Sequence, residues 1–275
     1  MLKTLSHYRQ KLAEKGFSGI IASRWRWYKL ALQMDNWVIG KLIELSGNRI
    51  AIQGITLSVD NPLIMTRHKS TMYFGIYEVG ERELAKRYID PALPTVEIGG
   101  SIGGVACTTN KLLLNPSDHV VVECNPLVLP TLQKNRDING CKFKIEPFAL
   151  AYGSERISFT IAMDHFMMGR LHGDGGKTVT VQTVTLKRIL DKYRFKTINL
   201  ISDSEGGEVE MVENESDLLR HHVKCLILET HEKERGRELI AKTLSALNDL
   251  GFEILERDEE KKDVLAMINR HFKQS

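Results

Sequence analysis

The chain has little of what marks a secreted, fibrous or membrane-spanning protein. Four of its 275 residues are cysteine (Cys107, Cys124, Cys141 and Cys225), far apart and with no CxxC pair. A chain of this length needs no covalent staples, so they read as buried thiols of a reducing cytosol. No apolar run approaches the roughly 18 residues of a spanning helix, and the opening MLKTLSHYRQK lacks the apolar core of a signal peptide. Net charge is scarce too: 38 Lys+Arg against 35 Asp+Glu leave +3, too little for the basic domain of a general nucleic-acid binder. With 42% hydrophobic residues, disorder is excluded as the main theme. There is no internal repeat and no low-complexity segment.

What is present suits one large α/β domain with a small extension. Charge is uneven: residues 1–49 hold nine Lys and Arg against three acids and all three tryptophans, Trp25, Trp27 and Trp37. Leu30, Met34, Trp37, Val38, Leu42 and Leu45 follow the rhythm of an amphipathic helix ended by Gly47. The expected reading is a helix packed on the main domain. The alternative is a peripheral membrane or partner contact through residues 20–46, with Arg24, Arg26 and Lys29 near head groups. Residues 48–60 alternate around Gln53-Gly54 as a β-hairpin. From Pro94, β-branched strands (Thr95–Ile98, His119–Glu123, Phe143–Phe148, Thr197–Ser202, Val223–Leu228, Phe252–Leu255 and Val264–Ile268) alternate with helical patterns. Val209, Val212 and Leu219 mark one such helix. This alternation predicts a mostly parallel sheet with helices on both faces. An insertion at roughly 153–190 carries two further strands and the loop Arg170–Gly176, a candidate lid.

The densest signal is Val96-Glu-Ile-Gly-Gly-Ser-Ile-Gly-Gly104, a strand running into a glycine turn and then a helix. In such sheets ligands bind beyond the carboxyl ends of the strands. Glu123 ends the next strand, where a carboxylate can accept both hydroxyls of a ribose. A dinucleotide turn wants G-x-G-x-x-G; here the slots read Gly99, Ser101 and Gly104, and Glu97 would repel a diphosphate while attracting an ammonium. S-adenosylmethionine carries a ribose, an ammonium and a sulfonium, and no phosphate. It is the expected cofactor, ahead of NAD.

The chain resembles the FkbM-type methyltransferases over roughly residues 72–258. The blocks are Tyr73–Glu78, similar to a G-x-Y-E lead-in; Val96–Gly103, against V-D-V-G-A-N-I-G; Val122–Pro126, against F-E-P-N-P; Ile198–Glu210, against L-L-K-I-D-V-E-G-A-E-L-E; and Leu226–His231, against L-x-E-x-H. Ile201 stands where the family has Lys, and Ser202 and Ser204 replace apolar residues. The resemblance implies an α/β class I methyltransferase (Rossmann-like) fold. Its seven-stranded, mostly parallel sheet would have order 3-2-1-4-5-7-6 and an antiparallel last strand, over residues 71–275, with residues 1–70 as a helical and β-hairpin extension. It implies cofactor contacts from Glu78, Glu97, Gly99, Ser101, Gly103, Glu123 and Asn125, and methyl transfer to a hydroxyl of a small-molecule or glycan acceptor, with no nucleic-acid partner. A catalytically silent binding module is the alternative.

For the chemistry, strand-end position singles out Asp203, Glu205, Glu229 and His231. The expected base is His231 or Asp203, with Glu205 orienting hydroxyls. These oxygens could also hold Mg²⁺, although the expectation is no metal. Glu208 and Glu210 read equally well as acids at a helix start. A cytoplasmic location is expected, with the inner membrane face as an option.

Overall fold

The computed structural model describes residues 35–161, 177–258 and 263–272. It opens with α1 (Trp37–Leu45), the hairpin β1 (Arg49–Ile52) and β2 (Ile55–Ser58), α2 (Thr66–Tyr73) and α3 (Val79–Tyr88). There follow β3 (Thr95–Ile98), α4 (Gly104–Asn110), β4 (His119–Val122), α5 (Leu129–Ile138) and β5 (Lys144–Glu146). The insertion supplies β6 (Ala149–Leu150), β7 (Arg156–Ile161) and β8 (Lys177–Val184). The chain then runs through α6 (Leu186–Tyr193), β9 (Ile198–Ser202), α7 (Gly207–Asn214), α8 (Ser216–His222), β10 (Val223–Glu229) and α9 (Glu232–Arg235). It ends with α10 (Arg237–Asp249), β11 (Phe252–Arg257) and β12 (Val264–Asn269).

Seven strands form one sheet in the order β11-β12-β10-β9-β3-β4-β5. Only β12 is antiparallel to its neighbours; β10, β9, β3, β4 and β5 pair in parallel. Parallel strands need helical crossovers, which cover both faces, so β3, β4 and β9 are buried along their length. On one face Val96, Ile98, Leu200 and Leu226 pack with Leu186, Met211 and Leu247 from α6, α7 and α10. On the other, Ile201 and Ile227 meet Leu84 and Ala85 of α3 and Val105 of α4. The chain turns from β3 outward in both directions, so the carboxyl ends of β3, β4 and β9 enclose a crevice.

The hairpin belongs to this core. Ile50, Ile52, Ile55 and Leu57 share a cluster with Val121 of β4 and Leu132 of α5. Asn135 of α5 and Asn139, which caps that helix, accept from Ser58 N and Thr56 N. No helix among the described residues is long and apolar enough to cross a membrane.

Two expectations change. Helix α1 starts at Trp37, where the Asn36 side chain accepts from Val38 N and Ile39 N. Its inward residues are Gly40 and Ile43, while the stripe of Trp37, Val38, Leu42 and Leu45 is exposed. The reason is close packing on α2: a Cβ at Gly40 would stand 1.8 Å from the Thr66 carbonyl oxygen. Leu30, Met34 and the loop 170–176 lie outside the described residues. The helix expected around Val209, Val212 and Leu219 is two helices, broken at Glu215. The Glu215 carboxylate accepts from Leu186 N, Lys187 N and the Tyr152 hydroxyl, which fixes the break against α6.

Candidate active site

Beyond β3 the chain turns at Gly99, whose φ is +88°. A Cβ there would lie 1.8 Å from the Asp203 carbonyl oxygen, so only glycine lets this turn sit against the end of β9. Asp203 N in turn donates to Ile98 O at 2.9 Å. Next to it Ser101 N donates to one oxygen of Glu123 and Asn125 N to the other, each at 2.7 Å. Glu123 is therefore buried at the crevice end of β4, not turned to solvent. The Asn125 side chain accepts from Leu127 N and shapes the approach to α5.

Tyr77 and Glu78 close the other side. The Tyr77 hydroxyl lies 2.7 Å from Ser101 Oγ. Glu78 reaches so near α4 that a Cβ at Gly104 would be 2.6 Å from its Oε2. Glu97 is 1% exposed on β3, with His119 Nε2 at 3.5 Å. Burial pulls His119 down to about 3, so the ring is neutral there. Burial also pushes Glu123 up to about 7, Glu78 up to about 8 and Glu97 well above the carboxylate range. These acids sit where a negative charge is uncomfortable.

The second half of the site is built after β9 and β10. His231 Nε2 lies 3.2 Å from Asp203 Oδ1 and 3.3 Å from Glu205 Oε2, and its Nδ1 lies 3.6 Å from Glu208 Oε2. Burial opposes charge on this ring, but Asp203 and Glu208 outweigh it and push His231 up to about 12. These neighbours favour the protonated ring, which then carries the positive charge of the group. Burial pushes Asp203 up, with His231 holding it back, and pushes Glu205 up to about 8. Glu208 is buried yet held down by His231, and it accepts from Ser204 N and Gly206 N. Glu210 is exposed on the first turn of α7.

Asp203 also gathers with Glu81 of α3 and Glu229 at the end of β10, each offering an oxygen within 4.8 Å of the others. Either this trio or Asp203, Glu205 and His231 could accept a divalent cation. Protonated His231 already supplies positive charge at the second. The sequence reading missed Glu81, Tyr77 and the inward role of Glu208. A hollow of about 470 Å³ lined by Leu93, Pro94, Asp118 and Tyr193 lies at the opposite, amino ends of the strands.

Residues 97–254, more than half of the chain and the span holding both halves of this site except Tyr77, Glu78 and Glu81, match the Methyltransferase FkbM domain. No curated protein matches. Among solved structures, the chain is similar to a ribosomal protein L11 methylase from Lactobacillus delbrueckii subsp. bulgaricus, with 14% identity over 70% of this chain and 77% of that one and a TM-score of 0.41. It is similar to a precorrin-6y C5,15-methyltransferase from Geobacter metallireducens, with 12% identity over 78% and 91% and a TM-score of 0.39. For Aeropyrum pernix fibrillarin with natively bound S-adenosyl-L-methionine the values are 14%, 68%, 71% and 0.37. The domain match decides the kinship: the chain belongs to the FkbM methyltransferase family, whose cofactor is S-adenosylmethionine.

Proposed function

We propose that this enzyme methylates a hydroxyl of a neutral sugar or glycan, with Glu205 as the base. The observation that carries the reading is the ion-paired group of His231, Asp203 and Glu205 just beyond β9 and β10, on the same end of the sheet as the glycine turn. Cofactor residues fit a cation: Glu78, Glu97 and Glu123 are buried acids that a positive ligand would relieve. Glu123 would accept from the ribose hydroxyls, the main chain at Gly99, Ser101 and Gly103 would approach the ligand, and Glu78 and Glu97 would face its amino-acid end, with Asn125 alongside. When bound, S-adenosylmethionine supplies a methyl on a sulfonium, with a thioether as the leaving group.

The chain's own tasks are then alignment, proton removal and exclusion of water. A hydroxyl is a poor nucleophile at neutral pH, and a positioned base contributes about 10²–10⁴-fold. Glu205, held at about 8, is ionised in part near pH 7 and its conjugate acid is weak enough to keep the proton it takes. His231 positions Asp203 and Glu205 and stays charged throughout. The test is a screen of saccharides with labelled methyl donor and mass analysis of the product. Glu205→Gln should keep cofactor binding and lose turnover by about 10²-fold or more. Full turnover in that variant refutes the base, and failure of every saccharide to take label refutes the sugar.

A further inference from the structure

The four large apolar residues that α1 turns outward do no packing work in the described fold. Trp37 is 60% exposed, Val38 62%, Leu42 61% and Leu45 84%. At 100° per residue Val38, Leu42 and Leu45 fall within an arc of about 60° opposite the buried Gly40 and Ile43, and Trp37 lies about 80° round the helix from that arc, beyond Lys41. A lone exposed leucine is ordinary, but a whole helix face of this kind marks a contact surface.

Charge says what the contact is. Lys41 lies beside the stripe, its ammonium 5.6 Å from the centre of the Trp37 ring and paired with Glu44 at 2.7 Å, so its stem lies along the apolar surface. Arg49, just past the helix, is exposed. The two acids on α1 and at its start are directed to α2: Glu44 bonds Thr66 and Lys69 as well as Lys41, and Asp35 faces His68 at 3.6 Å. The chain reaching Trp37 carries seven Lys and Arg against one Glu over residues 1–34. Tryptophan and basic residues flanking an apolar helix face are what an interface between water and anionic lipid selects.

We propose that α1 docks the enzyme on an anionic lipid surface, lying in the plane of the head groups with Val38, Leu42 and Leu45 toward the acyl chains, Trp37 at the level of the head groups, and Arg49 and the basic chain preceding the helix near the phosphates. The inference goes beyond the methyl-transfer reading and is tested without it. Flotation of the full chain with vesicles of phosphatidylcholine alone, or mixed with phosphatidylglycerol, gives the partition. The expected result is at least about tenfold stronger partition to the anionic vesicles, falling as salt screens the charges. The variant Trp37→Glu, Leu42→Glu, Leu45→Glu should lose at least about tenfold of that partition while its thermal midpoint and cofactor binding hold. If it does not fold, Leu42→Ser with Leu45→Ser serves in its place. Absence of anionic partition, or equal partition by a folded variant, overturns the proposal. So does a concentration-dependent dimer in sedimentation that the same substitutions break, which gives the face to a second copy of the chain.

Discussion

His231 is the shared partner of the carboxylates beyond β9 and β10, and its removal has a calculable cost. Its side chain is nearly buried and stands within 3.6 Å of three carboxylates, from Asp203, Glu205 and Glu208. His231→Ala leaves those acids facing one another without their shared cation. Removing one partner of a buried ion pair costs about 3–5 kcal/mol. Asp203 and Glu205 keep some access to solvent, so the variant has an escape: it can take up a proton. That fixes the sign of the pH dependence. Below the ordinary histidine value of 6.5, the charged ring is present in both folded and unfolded wild-type chains, and His231 adds no slope there. In the variant Asp203 and Glu208 lose the ring that holds them down, so the folded state binds a proton there that the unfolded chain, near 4.5 for glutamate, has released, while Glu205, raised in both proteins, adds no difference. Its stability must therefore fall as pH rises from about 4.5 to 6.5, whereas the other buried acids act equally on both proteins. Urea unfolding of the ligand-free proteins at pH 5 and pH 7 reads the difference. The loss should be about 3–5 kcal/mol at pH 7 and clearly smaller at pH 5. A loss below about 1 kcal/mol at pH 7, or one equal at the two pH values, refutes a charged His231.

Glu123→Ala should weaken S-adenosylmethionine binding by about a hundredfold or more, since hydrogen bonds to a charged group contribute about 1.5–3 kcal/mol each; calorimetric titration with affinity within threefold of wild type would contradict the ribose role. Because burial holds Glu78 at about 8 and Glu123 at about 7, a cationic ligand should drive protons off them, so affinity should rise between pH 6 and 8. Binding heats that depend on the ionisation enthalpy of the buffer would register that release, and identical heats in all buffers would deny it. Gly99→Ala should destabilise the fold by about 3 kcal/mol or more, combining a left-handed backbone with a clash on the Asp203 carbonyl, measured as the thermal midpoint without cofactor.

The legible parts of the sequence are those where one physical cause dominates. β3 is readable to the residue because β-branched Thr95, Val96 and Ile98 suit a strand buried on both faces and Gly99 stops it, even though the buried Glu97 interrupts the apolar pattern. The Gln53-Gly54 turn is readable because both residues take positive φ, as a tight hairpin demands. Helices α2 and α3 left no such mark. Between them they bury His68, Lys69, Ser70, Glu81 and Arg82, so no apolar period announces them, and Glu81 was lost with its helix. The face of α1 was misread because its contact rests on Gly40, and a glycine's close approach leaves no hydrophobic signal. Strand ends located Asp203, Glu205 and His231. The pairing of His231 with Glu208 was hidden, because Glu208 reads as an ordinary first-turn acid until its carboxylate is seen folded back on Ser204 N and Gly206 N.

The two halves of the site solve their charge problem differently, and that difference bears on what each can accept. Around the glycine turn, Glu78, Glu97 and Glu123 are each pushed toward neutrality. The nearby Arg82 guanidinium is committed to Gln53 and to the carbonyls of Gly75 and Tyr77. A ligand that brings its own positive charge favours the ionised form of these acids and so gains attraction as it binds. Beyond β9 and β10, protonated His231 already offsets its neighbours, so an acceptor there has no charge to supply. An anionic acceptor would meet Glu81, Asp203, Glu205 and Glu229 together. A neutral polyol would meet only acceptors for its hydroxyl protons, and this asymmetry is the physical support for the proposed uncharged sugar over a carboxylate or phosphate.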